Sequence, residues 1–394
     1  MHVKVLSQWL AHQGVIGHSA RLAVVLRAVG AVLTGGKLSL THIGRHLAGQ
    51  ARVKHQIKAA DRLLGNQHLH RERKGIYRAI ARSVLLGKER PVIVVDWSDV
   101  QSGQQWAVLK AAVPAGGRAI SVYERVFPYK HYHADAAPRE FLRELHSILP
   151  EGCRPIIVTD AGFRGPWFRA VEALGWDWLG RLRGRARFLC NKSGKWLLTR
   201  SLFDRATSKP RHLGKVVLTR QSCYTARLYL VRAHKIRTGR PHRRRRTNND
   251  VDYRRAHREP WLLATSLPHD HGSDRRIVAL YAKRMQIEET FRDLKCHRWG
   301  FGLCYSLCKS AARLNTMLLL AVLASLVVWI VGLAGRSIQA NWQLQANTER
   351  SREVLSAFFI GRELLRTRCT LLGPRHIAEA LLTLRAHIVC ALSP

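Results

Sequence analysis

Two short runs of apolar, largely β-branched residues, VIVVD at 92–96 and IIVTD at 156–160, constrain this fold more than any other feature. Runs of this kind suit strands buried on both faces, as in a sheet covered by helices. Between them lie WAVLKAAVPA and RAISVYERVFP, separated by Gly116-Gly117, a hairpin signal. PREFLRELHSILP follows, a helix opened by Pro138. After the second run, GPWFRAVEALG reads as a helix ending at Gly175 and DWLGRLR as a further strand. The order is strand, hairpin pair, helix, strand, helix, strand.

That order, a strand and hairpin pair followed by alternating helix and strand, is the order of the ribonuclease H-like fold. The expected class is α/β: an RNase H-like catalytic core with a β-rich insertion, flanked by helical N- and C-terminal domains. Residues 1–88 read as the helical DNA-binding domain, with amphipathic stretches around Arg21–Leu33, Leu40–Leu47 and Arg52–Leu64. Residues 89–183 are the first part of the core and 184–272 the insertion, with β-like pieces ARFLC, KWLLT, KVVLTR and ARLYLVRA. The insertion carries a basic tract from Lys235 to Arg258, suited to a loop that orders on phosphates or to a solvated tract. Residues 273–338 hold the core's C-terminal helices, and 339–394 a helical C-terminal domain, whose assembly role is implied only by family resemblance.

Charge narrows the partner. Sixty-six Lys and Arg stand against 26 Asp and Glu, a net charge of +40 in 394 residues. A compact chain this positive repels itself unless a polyanion compensates, which points to nucleic acid, with an anionic membrane surface as the rival. A reaction confined to a small neutral metabolite is disfavoured. LTHIGRHL, AGQAR and VKHQIKAADRLL read as helix, turn, helix, with Lys54, Lys58 and Arg62 on the second helix as candidate DNA contacts. The plainer alternative is a helical hairpin with a solvated basic face. The 22 uncharged residues from Leu314 to Gly335 are long enough for a membrane span. Basic chain on both sides gives no orientation, and a buried core helix is expected instead, with no membrane partner. The eight cysteines form no CxxC pair, and Cys304 and Cys308 lack a second close pair for zinc. With no apolar signal core in MHVKVLSQWLAHQG, the cytoplasm is the expected location.

Asp96 and Asp160 close the two apolar runs, and the carboxyl ends of strands are where α/β sheets build sites. They suit a hard cation such as Mg²⁺, or each caps its own turn. A two-metal phosphoryl-transfer site needs a further carboxylate, which YAKRMQIEETFRDLK supplies. At about 100° per residue, Tyr281, Arg284, Glu288 and Lys295 fall within about 60° of arc on one helical face. Glu289 and Asp293 lie off that face and are expected to be solvated. Ordinary surface ion pairing is the alternative for this helix.

Y-x2-R-x3-E-x6-K after two such aspartates resembles the signature of bacterial insertion-sequence transposases of the DDE class with a YREK motif, family four of insertion sequences. VDWSDV, TDAGFRGPWF, LGWDWLGRLRG, PWLLATSLP, DRLLGNQHLHRER and QANTER extend the likeness over nearly the whole chain. The resemblance implies that Asp96, Asp160 and Glu288 are the catalytic, metal-binding triad, for Mg²⁺ with Mn²⁺ able to substitute. It implies cut-and-paste transposition through a DNA hairpin, and it makes Trp261 the platform for a flipped base, where a core tryptophan is the plainer reading. Tyr281, Arg284 and Lys295 would contact terminal phosphates and bases. Double-stranded DNA, as transposon ends and target, would be the partner of a homodimer assembled on DNA, in the cytoplasm at the nucleoid. A nuclease or resolvase without strand transfer and an inactive DNA-binding relic remain the rival readings.

Overall fold

The computed structural model describes residues 2–85, 87–100, 105–132, 134–190, 193–221, 223–232, 259–367 and 371–392. The basic tract Lys235–Arg258 lies outside the described residues. Among the described residues, ten strands form one sheet in the order β3-β2-β1-β4-β5-β10-β9-β8-β6-β7. They are β1 (Val92–Asp99), β2 (Trp106–Pro114), β3 (Ala119–Pro128), β4 (Ile156–Thr159), β5 (Asp177–Leu182), β6 (Arg187–Leu189), β7 (Trp196–Leu198), β8 (Arg211–Leu218), β9 (Tyr224–Val231) and β10 (Trp261–Thr265). By internal contacts the chain divides into two units, residues 1–91, 96–153 and 285–393 in one, 92–95 and 154–284 in the other.

The first unit is largely helical. Its N-terminal helices are α1 (His2–Gln13), α2 (Ser19–Gly35), α3 (Leu40–His46), α4 (Val53–Leu64) and α5 (Gln67–Leu85), followed after β3 by α6 (Ala136–Ile148). The three amphipathic stretches are thus α2, α3 and α4, and Pro138 sits in the first turn of α6. In the second unit come α7 (Gly165–Glu172) and α8 (Ser273–Ala282). The first unit resumes with α9 (Met285–Lys295), α10 (Ala311–Ser337), α11 (Ala340–Leu344), α12 (Ala357–Arg366) and α13 (Pro374–Leu392).

The apolar run is α10, and 83% of its most apolar window is buried inside the protein. It packs on α2, α5, α12, α13 and β3. Side-chain burial of this kind stabilises by about 25 cal/mol per Å² of apolar surface, so the sheath replaces the lipid that the composition alone would also have suited. The crossing with α12 is close because both helices use glycine. A Cβ on Gly361 would collide with the Val328 carbonyl, and one on Gly332 with that of Ala357.

The β2–β3 hairpin turns through Gly116 and Gly117, at φ 69° and 96°, with Ala115 N–H donating to the Arg118 carbonyl at 2.7 Å. Both central residues need the left-handed region that glycine enters at no steric cost. Inside the hairpin, Lys110 and Glu124 form an ion pair of 2.9 Å with side chains 3% and 1% exposed. Tyr77 of α5 donates to the Glu124 carboxylate at 3.2 Å and Arg73 to its backbone carbonyl at 2.8 Å. A second polar knot joins α5, β3 and α6: Glu144 accepts from Lys74 (2.5 Å), Tyr123 (2.5 Å) and Arg125 (2.6 Å).

The second unit holds the parallel pairs β1–β4 and β4–β5, then antiparallel pairing from β5 to β10 to β9 to β8. The strands of the 184–272 segment therefore run in the same sheet as the core strands. Trp178 of β5 stacks on Phe168 of α7 at 4.0 Å between centroids, with Tyr224 edge-on at 5.9 Å.

Gly361→Ala is expected to destabilise the protein by about 2 kcal/mol, because added volume at a closed crossing forces a backbone shift; denaturant unfolding of the two proteins measures it. A pH effect follows from Glu144. Burial pushes its carboxyl up, but the hydrogen bonds from Lys74, Tyr123 and Arg125 outweigh this and hold it below the usual value. A depressed folded-state pKa contributes stability that is complete above the unfolded value and lost as pH falls through the folded one. The melting midpoint should fall through that acid range, and Glu144→Gln should flatten the fall.

Candidate active site and nucleic-acid interface

Asp96 and Asp160 are placed by one register. β1 and β4 run parallel with Val95 opposite Thr159, and an aspartate follows each in sequence. Asp160 comes directly after the last residue of β4, as expected. Asp96 does not end its strand: β1 continues to Asp99, and Asp96 marks where full burial stops. Each carboxylate also accepts a local backbone hydrogen bond, Asp96 from Trp97 N–H (2.9 Å) and Asp160 from Gly162 N–H (2.8 Å). The turn-capping expectation holds for Asp160, which bonds into the turn after β4, but not for Asp96, whose bond to Trp97 lies within β1. Either bond is compatible with a second role, since a carboxylate has about four acceptor sites.

The expectation of one helical face for Tyr281, Arg284, Glu288 and Lys295 needs correction. The helix is interrupted: α8 stops at Ala282 and α9 starts at Met285. Lys283 N–H bonds to Leu280 O and Arg284 N–H to Tyr281 O, a tightening to i→i−3 bonds that ends the α-helical ladder. No proline or glycine marks this break, so periodicity ran through it. Tyr281 and Arg284 belong to one unit, Glu288 and Lys295 to the other.

In the first unit, Asp96, Glu288 and Lys295 line an open cleft of about 520 Å³, with Trp97, Ser98, Phe291, Arg292, Cys296, His297 and Cys304. Glu288 is exposed and Asp96 half-buried. Lys295 Nζ donates to Ser98 Oγ at 2.8 Å and to the Asp99 carbonyl at 3.3 Å. Burial lowers the Lys295 pKa, against the pull of Asp99, Cys304 and Asp96. Asp293 was expected in solvent and is not: its side chain is 13% exposed and accepts from Arg118 Nε at 2.5 Å. Burial raises its carboxyl above the ordinary range despite that partner. Glu289 also approaches Arg118, at 3.6 Å, and pairs with Arg292.

In the second unit, Trp261 opens β10, half-buried, with its ring edge-on to Tyr281 at 5.0 Å. Tyr281 is 4% exposed. Burial raises its pKa, opposed by Arg284 and Arg181 and reinforced by Asp160. The Arg284 guanidinium lies 5.8 Å from the Tyr281 ring centre. The structure thus gathers Asp160, Trp261, Tyr281 and Arg284, and adds Arg181 of β5, which sequence reading missed. Its position opposite Leu263 in the β5–β10 ladder was the signal, legible only once that pairing is known.

Lys54, Lys58 and Arg62 are all exposed on α4, at i, i+4 and i+8, while Gln56, Ala60, Leu63 and Leu64 of the same helix are buried. Gly44 of α3 lies against the backbone of Ile57, which brings the two helices together.

The fold thus sets an aspartate directly after each of two paired parallel spans, in a chain of net charge +40. The chain matches the family model for the Transposase DDE domain over residues 87–325, a span that includes Asp96, Asp160 and Glu288. It belongs to that family, which is a family of DNA transposases, polynucleotidyl transferases and endonucleases of insertion sequences, with an RNase H-like core. No curated protein matches the chain.

The family uses divalent metal ions. Among the described residues no three His, Cys, Asp or Glu side chains converge at metal-holding range. The donors nonetheless fit in kind: Asp96 and Glu288 line one cleft and offer hard carboxylate oxygens, the ligand type of Mg²⁺.

Replacing Lys54, Lys58 and Arg62 together by Ala should weaken DNA binding and reduce the salt-dependence slope by roughly 0.9 for each phosphate no longer neutralised. Binding titrations across a salt series measure this. An unchanged slope would leave α4 a solvated face.

Proposed function

We propose that this transposase works by cut and paste on the inverted repeats that end its own insertion sequence. In this reading it belongs to the YREK group, family four of insertion sequences, and is similar to the transposase of the tetracycline-resistance composite transposon. The observation that carries the catalytic assignment is the β1–β4 register, which sets Asp96 and Asp160 at corresponding places on neighbouring parallel strands within the matched transposase domain.

Asp96, Asp160 and Glu288 are the reaction carboxylates and would hold Mg²⁺, or Mn²⁺ in its place. A metal held there would supply Lewis-acid stabilisation of the charge that develops in phosphoryl transfer. Lys295, anchored on Ser98 and Asp99, presents its ammonium to a phosphate oxygen beside Glu288. Water opens one strand at the transposon end, the freed 3′-hydroxyl attacks the opposite strand to leave a hairpin, and the reopened end joins target DNA. The sharp bend of a hairpin requires a displaced base, and the half-buried Trp261 ring offers the stacking surface, backed by Tyr281. Arg284 neutralises the phosphate next to it, and α4 holds the duplex through Lys54, Lys58 and Arg62. Two ends must be held for joining, which favours a homodimer assembled on DNA through the C-terminal helices.

The test is cleavage of DNA carrying the gene's flanking repeats, with Mg²⁺ or with chelator, on a denaturing gel. Metal-dependent hairpin ends are expected, reduced more than about 100-fold in Asp96→Ala, since even supporting residues of metal sites cost 10- to 100-fold. Trp261→Ala should spare the first nick and lose hairpins. Nicks without hairpins in the wild type would mark a simple nuclease, and bound but intact ends an inactive relic.

A further inference from the structure

The break at Lys283–Arg284 leaves α9 without a continuous helix on its N-terminal side, so its placement must come from elsewhere. At about 100° per residue, Gln286, Thr290 and Asp293 share one face of α9, within roughly 60° of arc. Glu288 and Lys295 fall about 180° away, on the face that lines the cleft. All three residues of the first face are bound to the β2–β3 turn. Gln286 Oε1 accepts from Ala115 N–H at 2.9 Å and Gly117 N–H at 3.2 Å. Thr290 Oγ1 accepts from Ala119 N–H at 2.9 Å and donates to the Ala119 carbonyl at 3.1 Å. Asp293 takes two hydrogen bonds from Arg118, at 2.5 and 3.4 Å. A further contact comes from below the turn, where the buried Lys110 ammonium lies 5.0 Å from the Phe291 ring centre.

We propose that Arg118 and Asp293 are positioning residues, which with Gln286 and Thr290 bolt α9 to the hairpin turn and so fix where Glu288 stands in the cleft. The inference rests on the reading of Glu288 as a reaction carboxylate. The polar face is matched to a rigid template: a type I′ glycine turn presents its backbone groups in one geometry, and the helix reads them at i, i+4 and i+7. Neither Arg118 nor Asp293 lines the cleft, so they act through α9 and not on DNA. Their bidentate contact is charge-assisted and shielded from water, which makes it strong and directional.

The experiment compares wild type, Asp293→Asn, Gln286→Ala and the charge exchange Arg118→Asp with Asp293→Arg. It reads end binding, single-turnover cleavage, melting and hydrogen exchange of residues 286–295. In Asp293→Asn, cleavage should fall about 10- to 100-fold, the range for residues that orient a metal-site ligand. End binding should stay within about twofold, the pattern of an interaction needed only at the transition state. Exchange over 286–295 should rise, Gln286→Ala should act in the same direction, and the charge exchange should recover cleavage. Wild-type cleavage and unchanged exchange in Asp293→Asn would overturn the proposal. So would equal losses of binding, cleavage and melting midpoint with no recovery by the charge exchange, since that is plain destabilisation. If the wild type cleaved no DNA while exchange over 286–295 rose in Asp293→Asn, the bolt would stand and the cut-and-paste reading would fall.

Discussion

A helix of 27 residues with an apolar stretch of this length must be covered, and that need organises the first unit. Exposed to water on all sides, α10 would forfeit the burial that stabilises it; sheathed by α2, α5, α12, α13 and β3, it becomes the axis to which the terminal segments attach. The sheath accounts for two otherwise odd features. Glycines at 332 and 361 let α10 and α12 approach until backbone meets backbone. The hairpin β2–β3, whose β3 packs against α10, keeps its charged pair Lys110–Glu124 internal rather than exposed.

The proposed chemistry depends on a smaller constraint. Parallel pairing of Val92–Val95 with Ile156–Thr159 fixes the register of two strands that are buried throughout those spans. A slip by one residue would turn every side chain to the opposite face. Burial therefore holds the positions at which two half-buried aspartates follow. Around Glu288 the constraint is polar instead. α9 is divided into a face bound to the hairpin, an apolar face at Ile287, Phe291 and Leu294, of which Phe291 reaches the cleft, and a face on the cleft at Glu288 and Lys295. One short helix thus joins the core to the carboxylate it carries.

Much of this was legible in the chain. Buried strands declare themselves by unbroken β-branched runs, the hairpin by Gly116-Gly117, and the N-terminal helices by amphipathic period, so β1 to β5 and α2 to α4 lie where the pattern puts them. The reading of α10 as a core helix followed from basic residues on both flanks. The helix break at Lys283–Arg284 was not legible, because i→i−3 closure there involves neither proline nor glycine. Asp293 was misjudged for a related reason: a helical wheel shows that a residue is off one face but not what waits on the other, and Arg118 is 175 residues away in sequence.

Sequence alone determined the order of the elements, the excess of positive charge that calls for a polyanion, and the carboxylates that the proposed function draws on. These are local or additive properties of the chain: side-chain branching, periodicity and charge. Tertiary structure decided that Asp96 sits within β1 rather than at its end, that Arg181 stands beside Tyr281, and that Asp293 is a buried partner of Arg118. Each of these depends on pairings between residues far apart in the chain, which arise only when buried surfaces and satisfied hydrogen bonds offset the entropy of closing the loops between them.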